Sequence, residues 1–300
     1  MNLDNLTGTF DHTNPKFKRI VMEKNMKVKE CTTSRRHYAE EQTMKRVLLV
    51  LCFAVLTVSF GCQNQDTAST PVIGITSVYK LNEDTGSEQT FVNFAYVRAV
   101  AENGGAPVVL PTIADDTLLQ RYIEELDGLV LVGGADIPPS AYGQQPHETV
   151  VPLTSQRYNF ERKLIKKWLA GGKPLLGVCL GMQFTNVVSG GSMTQDIPSQ
   201  IGAKVNHRGY HTVRIEPDSS LAKILGDEKA SVWSNHHQAV RDIGNDLRII
   251  AHSEDGIVEA LERIDGGFGL FVQWHPEQMA DKQHRNAIYG ALVKASASRK

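Results

Sequence analysis

From residue 72 onward, apolar and polar positions alternate in two kinds of block. Short, nearly continuous apolar runs predict buried strands, whereas longer stretches with an apolar residue every three or four positions predict helices. The predicted strands fall at 71–79, 107–111, 127–134 and 173–179, and the predicted helices at 91–103, 117–126 and 157–170. Because strands and helices alternate, the pattern indicates a parallel sheet that helices cover on both faces.

Beyond residue 200 the pattern changes to shorter, closely spaced strands. They are predicted at 211–215, 230–234, 247–253, 257–262 and 268–274, and a predicted helix at 281–294 follows them. The pattern contains no internal repeat and no interdomain linker. The sequence therefore predicts a single α/β domain over 72–298, with a mostly parallel central sheet and helices on both faces.

The segment 44–62, MKRVLLVLCFAVLTVSFGC, has the layout of an export signal, with two cationic residues, an apolar core and small residues before a cysteine. Its core is short for a bilayer, which makes a transmembrane helix the weaker interpretation. The cysteine at its end, Cys62, resembles the acylated cysteine of bacterial lipoproteins. Gly61 fits that pattern, while Ser59 stands where a branched apolar residue is usual.

We therefore expect an exported protein that is lipid-anchored to a bacterial membrane through Cys62, on the periplasmic or the surface side, with 63–71 as a short linker. Plain secretion and an uncleaved anchor are the alternatives. The preceding residues, 1–43, are polar, mixed in charge and without clear periodicity. Either translation starts at Met44 or 1–43 is a disordered leader, and in both cases we exclude this segment from the fold.

Composition narrows the class of partner. The 300 residues carry a formal net charge of -1, and 41% of them are hydrophobic. Without a basic stripe, the sequence indicates a soluble protein with a small-molecule partner rather than a nucleic acid. The four cysteines show no CxxC spacing and no cluster with histidine, which indicates neither a zinc site nor a disulfide framework. No metal ion and no cofactor is predicted.

A candidate nucleophile lies in the stretch GVCLG, where Cys179 stands between Gly177 and Gly181. This is the Gly-x-nucleophile-x-Gly pattern of a nucleophile elbow, in which a strand turns sharply into a helix and flanking side chains would collide. It places the thiol at a helix N-terminus, where unpaired amides and the helix dipole favour negative charge. The alternative is a buried structural cysteine, because Cys is small and easily buried.

A cysteine nucleophile needs a base, and the base needs an orienting group. The stretch QWHPE supplies both, since His275 and Glu277 are two residues apart on a predicted extended segment and can project to the same side. The carboxylate then holds one imidazole nitrogen and leaves the other to face sulfur. His-Pro-Glu alone also fits a surface turn, but its occurrence together with the elbow favours a catalytic pair.

Attack on an acyl carbon also requires hydrogen-bond donors for the developing oxyanion. The backbone N–H of Leu180, directly after the nucleophile, is one candidate, and that of Gly134 is the other. The pair Gly133-Gly134 ends a predicted strand at the same sheet edge as Cys179, where ligands usually bind. A simple glycine turn is the alternative interpretation of this pair.

Several segments, taken in order, resemble the class I glutamine amidotransferase-like fold and, within it, the gamma-glutamyl-gamma-aminobutyrate hydrolase family. They are LVGGADIPPSAYG, PLLGVCLGMQFTNVVSGGSMTQDI, HHQAV, SEDGIVEALE and QWHPE. The resemblance covers about 72–293 and implies a flavodoxin-like architecture with a triad of Cys179, His275 and Glu277. It further implies cleavage of a small-molecule gamma-glutamyl amide through a gamma-glutamyl thioester.

The resemblance also suggests that Gln183 and His236 or His237 line the glutamyl pocket, and we count Gly133 with them. From the residues alone, the adjacent histidines pair with Asp or cap a strand as readily. Metal binding by them would need a third ligand at suitable spacing, which the sequence does not indicate. A homodimer remains open.

Three departures from the family pattern bear on the leaving-group half of the substrate and leave the triad intact. Leu180 stands where members often have Arg, Arg157-Tyr158 replaces an Arg-Asp pair, and Trp233-Ser234-Asn235 replaces a more usual Asn-Ser pair. The leading hypothesis is a hydrolase of gamma-glutamyl amines or peptides. The alternatives are a glutaminase subunit that supplies ammonia to a synthase and a catalytically silent, lipid-anchored binding protein of the same fold.

Overall fold

The computed structural model describes residues 69–298, except 203, together with positions 15, 19, 22–24, 26 and 44. Contacts divide the chain into two units, Met1–Thr67 and Ala68–Lys300. In the first unit the described positions are helical. Apart from Met44, the predicted signal segment and Cys62 lie outside the described residues. None of the helices in the described part of the chain combines the length and the hydropathy that crossing a membrane requires.

A nine-stranded sheet forms the centre of the second unit. Its strands, in chain order, are β1 (Val72–Ile75), β4 (Ala106–Val109), β5 (Gly128–Leu131), β6 (Leu175–Val178), β8 (Arg208–Ile215), β9 (Lys229–Asn235), β11 (Leu247–Ser253), β12 (Val258–Arg263) and β13 (Gly269–Val272). Their spatial order is β4-β1-β5-β6-β13-β12-β11-β8-β9. The five strands from β4 to β13 are parallel and the remaining four pair antiparallel.

Two small ribbons accompany the sheet. They are the hairpin of β2 (Val78–Asn82) and β3 (Ser87–Phe91) and the pair of β7 (Met193–Thr194) and β10 (Ala239–Val240). The α-helices of this unit are α1 (Phe94–Glu102), α2 (Asp116–Glu125), α3 (Ser155–Ala170), α4 (Leu180–Val188), α5 (Ile197–Gln200), α6 (Ser220–Leu225) and α7 (Lys282–Ala297). Short 3-10 helices cover Pro139–Tyr142 and Pro276–Gln278.

Helices cover both faces of the sheet because successive strand residues point to opposite sides. On β5, Val130 belongs to the core cluster that contains residues of α1, α6 and α7. Its neighbours Leu129 and Leu131 belong to the cluster built with α2, α3 and α4. A strand buried on both faces reads as a continuous apolar run, which is why β5 and β6 were recognisable in the sequence.

The α/β class, the mostly parallel sheet and the helices on both faces are confirmed. The β2–β3 hairpin is the main element that the apolar pattern did not predict, because its stretch LNEDTGSEQT is exposed throughout and, apart from Leu81, lacks large apolar residues. The predicted strand at 71–79 is in fact β1, which belongs to the sheet, followed by the start of β2, which leaves it. The predicted helix at 91–103 likewise begins three residues later, after β3.

Truncating a side chain in the layer beneath α2 and α3 should destabilise the domain. Leu129→Ala removes a fully buried side chain, and we expect a loss of about 2–5 kcal/mol in the free energy of unfolding because the site cannot fully collapse. Urea unfolding of the purified protein measures this. Leu81→Ala on the hairpin, where the side chain is 45% exposed, is the matched control and should change stability by less than about 0.5 kcal/mol. Equal losses for the two variants would contradict the core assignment.

Candidate active site

Cys179 occupies a sharp turn between the end of β6 and the start of α4. Its backbone has φ 53 and ψ -107, a left-handed conformation that costs a non-glycine residue about 1–3 kcal/mol. A side chain at Gly177 would place Cβ 2.8 Å from the carbonyl oxygen of Gly181, and one at Gly181 would collide with the carbonyl oxygen of Leu131. Both glycines of GVCLG are therefore required by close backbone contact.

The turn fixes the cysteine in the site. The Cys179 N–H donates to the carbonyl of Val272 at 2.8 Å, and the Cys179 carbonyl accepts from Gln183 in the first turn of α4. Cys179 is buried, with 6% of the residue exposed. At the N-terminus of α4, the unpaired amides stabilise negative charge on the sulfur.

His275 and Glu277 form a buried pair just beyond β13. The His275 backbone N–H donates to the carbonyl of Trp233 at 2.9 Å, and a 3-10 helix begins at the next residue. Imidazole Nδ1 lies 2.8 Å from Glu277 Oε1. Nδ1 therefore carries a proton and donates it in a hydrogen bond to the carboxylate, and Nε2 is left for a second partner.

The imidazole and the cysteine meet beside Gly133. A Cβ built on Gly133 would lie 2.8 Å from His275 Cε1 and 3.6 Å from Cys179 Cβ, so only glycine fits between them. Burial lowers the pKa of His275, but the sulfur of Cys179 and the carboxylate of Glu277 outweigh it and raise this pKa to about 10. The histidine is therefore cationic at neutral pH, paired with both neighbours.

Arg157 donates hydrogen bonds to the backbone of the Gly133-Gly134 turn. Its Nη2 donates to the carbonyls of Val132 at 3.2 Å and Gly133 at 3.1 Å, and its Nε pairs with the fully buried Glu161 at 2.9 Å. In a trans peptide the carbonyl and the following N–H point in opposite directions. With the Gly133 carbonyl held by Arg157, the N–H of Gly134 faces away from the guanidinium.

Gly134 lies beside the side chain of Leu180. A Cβ on Gly134 would be 3.0 Å from Leu180 Cδ2, and the Leu180 N–H begins α4 without an intrahelical acceptor. The N–H of Gly133 is committed elsewhere, since it donates to the hydroxyl of Tyr96 at 3.0 Å. The N–H groups of Gly134 and Leu180 stay the predicted oxyanion donors.

Gln183 acts on the sulfur indirectly. It is 4% exposed, and its amide donates to Gln273 Oε1 at 3.1 Å and to the carbonyl of Gln238 at 3.4 Å. The amide nitrogen of Gln273 then faces Cys179 Sγ at 3.6 Å. Gln183 thus orients Gln273 by occupying its oxygen.

The two adjacent histidines have separate environments. His237 bridges two carboxylates, with Nε2 at 3.2 Å from Asp136 and Nδ1 at 3.2 Å from Asp196. The bond to Asp136 raises the pKa of His237, and that to Asp196 adds to it against the opposing effect of burial. His236 is buried and places Nδ1 2.9 Å from the Gln238 carbonyl. The structure does not bring either imidazole into the contacts described for the triad.

A cavity of about 610 Å³ opens next to these histidines. Among the described residues it is lined by Asp196, Ile197, Pro198, Lys204, Val205, Asn206, His207, Arg208, His236 and His237. The triad residues are not in this lining, so the cavity adjoins the pocket histidines rather than the sulfur.

Tyr96, Gln273 and the Arg157–Glu161 pair are functional candidates that the sequence did not identify. Tyr96 is buried in α1, where helical spacing marks it as core, yet its hydroxyl also lies 3.5 Å from His275 Nδ1. Gln273 belongs to the QWHPE segment but precedes the predicted pair. The i, i+4 spacing of Arg157 and Glu161 was the available signal for their pairing.

Comparison with known proteins gives one family. The sequence profile of Peptidase C26 matches residues 71–277. Protein NtpR of Enterococcus hirae is 39% identical over 69% of this chain and 91% of its own length. Gamma-glutamyl-gamma-aminobutyrate hydrolase PuuD of Escherichia coli is 29% identical over 71% of this chain and 88% of its own length.

A solved structure shares the fold. A glutamine amidotransferase from Thermotoga maritima superposes with a TM-score of 0.51 at 18% identity, covering 77% of this chain and 97% of that protein. At this identity the likeness bears on the fold alone. The architecture is thus shared by proteins of divergent sequence.

The cationic histidine should make the Cys179 thiol reactive. At neutral pH we expect iodoacetamide to alkylate Cys179 rapidly, and His275→Ala to slow this by at least about 10-fold, because the charge that stabilises the thiolate is lost. Mass spectrometry of the peptide that contains Cys179 gives the rate. His252→Ala, on β11 outside the site, is the control and should leave the rate unchanged; a rate equally unaffected in His275→Ala would refute the pairing.

Proposed function

Because the chain belongs to the Peptidase C26 family, we propose that it is a cysteine hydrolase that cleaves a gamma-glutamyl amide bond. The family and the relatives named as gamma-glutamyl-gamma-aminobutyrate hydrolases support a general role in amide hydrolysis. The observation that carries the finer proposal is the convergence of the strained Cys179, the cationic His275 and its partner Glu277 beside a turn that tolerates no side chain.

In the acylation step, the Cys179 thiolate attacks the amide carbonyl carbon and a carbon–sulfur bond forms. The carbonyl oxygen becomes an oxyanion, which accepts hydrogen bonds from the N–H groups of Gly134 and Leu180. His275 transfers its Nε2 proton to the leaving nitrogen, the carbon–nitrogen bond breaks and the amine departs. A gamma-glutamyl thioester on Cys179 and a neutral imidazole remain.

In the deacylation step, neutral His275 removes a proton from water at Nε2, and the resulting hydroxide attacks the thioester carbon. The carbon–sulfur bond breaks, the gamma-carboxylic acid of glutamate is released and ionises by giving its proton to solvent, and the Cys179 thiolate and the imidazolium are restored. Glu277 keeps the same ring orientation in both steps by holding Nδ1. Together the two steps convert the amide and water to the acid and the amine, and no cofactor takes part in them.

Gln273 supports the same nucleophile. An amide N–H directed at Sγ stabilises the thiolate as a hydrogen-bond donor without competing for the proton that His275 carries. Gln183 keeps this amide from rotating, since a flipped Gln273 would present its oxygen to the sulfur. We therefore assign Gln183 and Gln273 to positioning of the nucleophile.

Replacing the nucleophile tests the proposal directly. Cys179→Ala should lower the release of glutamate from gamma-glutamyl-aminobutyrate or a gamma-glutamyl peptide by at least about 10³-fold, because no thioester forms. The assay measures glutamate from these two substrates and from free glutamine. Ser189→Ala, at the opposite end of α4, is the control for the helix and should keep wild-type rates. Wild-type activity on glutamine alone would favour a glutaminase, and activity on none of the three would favour a binding protein.

The pH dependence should follow His275. Its pKa is raised to about 10, so kcat/KM should fall as pH rises through about 10, where the proton for the leaving amine is lost. Glu277→Gln removes a charge that raises this pKa and should shift the alkaline limb to lower pH. Glu254→Gln, an exposed carboxylate outside the site, is the control and should reproduce the wild-type profile. An unshifted limb in Glu277→Gln would contradict the assignment.

A further inference from the structure

Four titratable side chains outside the triad converge on one point. They are His207, His211, His236 and Glu259, whose potential ligand atoms all lie within 4.8 Å of one another. We propose that these residues bind one divalent transition-metal ion of the zinc class. Imidazole nitrogen and carboxylate oxygen are ligands that zinc accepts, and four of them complete a tetrahedral site.

The distances fit such an ion. Glu259 Oε1 lies 3.2 Å from His207 Nδ1, 3.7 Å from His211 Nε2 and 3.7 Å from His236 Nε2. Bonds of about 2.0–2.1 Å to a tetrahedral zinc place neighbouring ligand atoms about 3.4 Å apart. The three distances to Glu259 match a zinc coordination shell, and the wider separations in the cluster, which extend to 4.8 Å, would have to contract when the ion binds.

Three of the four residues present atoms to the centre that have no hydrogen-bond partner outside the cluster, whereas His211 Nε2 lies 2.9 Å from Ser234 Oγ. His207 Nδ1, His236 Nε2 and both carboxylate oxygens of Glu259 are buried without such a partner. Glu259 is fully buried, and His207 and His236 are 5% and 7% exposed. A buried polar atom left unpaired costs about 1–3 kcal/mol, and several that point at one centre are satisfied together by a single cation.

The outer atoms of two rings are already held in the way that metal ligands are. His207 Nε2 lies 3.1 Å from Asp255 Oδ2, and His236 Nδ1 lies 2.9 Å from the Gln238 carbonyl. Histidine ligands commonly bond their second nitrogen to a carboxylate or a carbonyl, which fixes the tautomer and aims the free nitrogen at the metal. Here the carboxylate and the carbonyl leave Nδ1 of His207 and Nε2 of His236 directed at Glu259.

The fold assembles ligands that are far apart in the sequence. His207 and His211 flank the start of β8, His236 follows β9, and Glu259 lies on β12. The antiparallel β8 and β9 bring His236 beside His207, with the His236 N–H donating to the His207 carbonyl at 3.0 Å. The fold thus adds three ligands, His207, His211 and Glu259, to His236, the one ligand that the HHQ stretch contributes.

The site has an entry path and a structural role. His207 and His236 line the cavity of about 610 Å³, through which an ion reaches the cluster. Four protein ligands leave no open coordination position, which is typical of a structural site. The ion would link β8, β9 and β12. The ligand Glu259 is also connected to the active site, because its carbonyl accepts a hydrogen bond from the N–H of Gln273, whose side chain faces the sulfur.

Metal titration of the full-length chain tests the inference. After treatment with a chelator, the wild-type protein should take up one equivalent of Zn²⁺ with a Kd below about 1 µM, measured by calorimetry and by elemental analysis. Glu259→Gln and His207→Ala should lose that equivalent or weaken its binding by at least about 100-fold. Asp255→Asn should weaken it by about 10- to 100-fold through the second nitrogen of His207.

His237→Ala is the matched control, because this histidine lines the same cavity but pairs with Asp136 and Asp196. It should keep the full equivalent. Equal Zn²⁺ uptake by the wild type and the ligand variants, no uptake at all, or loss of the equivalent in His237→Ala would overturn the inference. Those results would leave a network of histidines paired with a buried carboxylate.

Loading the wild-type protein with Co²⁺ tests the inference even when the ligand variants fail to fold. Wild-type protein loaded with Co²⁺ should show the strong visible absorption of a tetrahedral nitrogen and oxygen site, and thermal melting should move to higher temperature with either metal. A weak octahedral spectrum, or no visible absorption, would overturn the inference without any variant. These readouts do not depend on enzymatic activity, so they stand apart from the test of the hydrolase.

Discussion

The site depends on one backbone constraint, the left-handed conformation of Cys179 between two glycines that admit no side chain. Gly177 lies against the backbone of Gly181, and Gly181 lies against Leu131 of the neighbouring strand. A strand that must reverse this sharply into a helix projects its central residue outward, at the N-terminus of that helix. The chemistry of the sulfur follows from this position, because the helix, the glycine turn and the histidine all meet there.

Buried hydrogen bonds from three directions hold the groups around the sulfur. Arg157 fixes the turn after β5, Tyr96 connects that turn to His275, and Gln183 sets the amide of Gln273. Each acts on a neighbour of the nucleophile. Polar networks of this kind are favourable only when every member is satisfied, so they also specify one arrangement of the elements that carry them. The same bonds therefore contribute to folding and to the geometry of the site.

The sequence predicted those features that a local pattern determines. The GVCLG stretch predicted a turn because its steric requirement lies within five residues, and HPE placed a base and its partner two residues apart. Gln273, Tyr96 and the His207 cluster depend on pairings between distant strands and helices, which no local pattern encodes. His237 shows the same limit, since its two carboxylate partners lie 101 and 41 residues away. The polar β2–β3 hairpin was missed because the apolar period that marks buried elements is absent from it.

The hairpin of β2 and β3 follows β1 in the chain and lies outside the nine-stranded sheet. It begins at the carboxyl end of the parallel strands, which is also the end at which Cys179 follows β6. Its strands are mostly exposed and contribute little to either core cluster. Changes in the length or charge of this hairpin would therefore leave both core clusters intact. The outline and the charge of this edge of the domain are therefore decoupled from the interior that holds the sulfur in place.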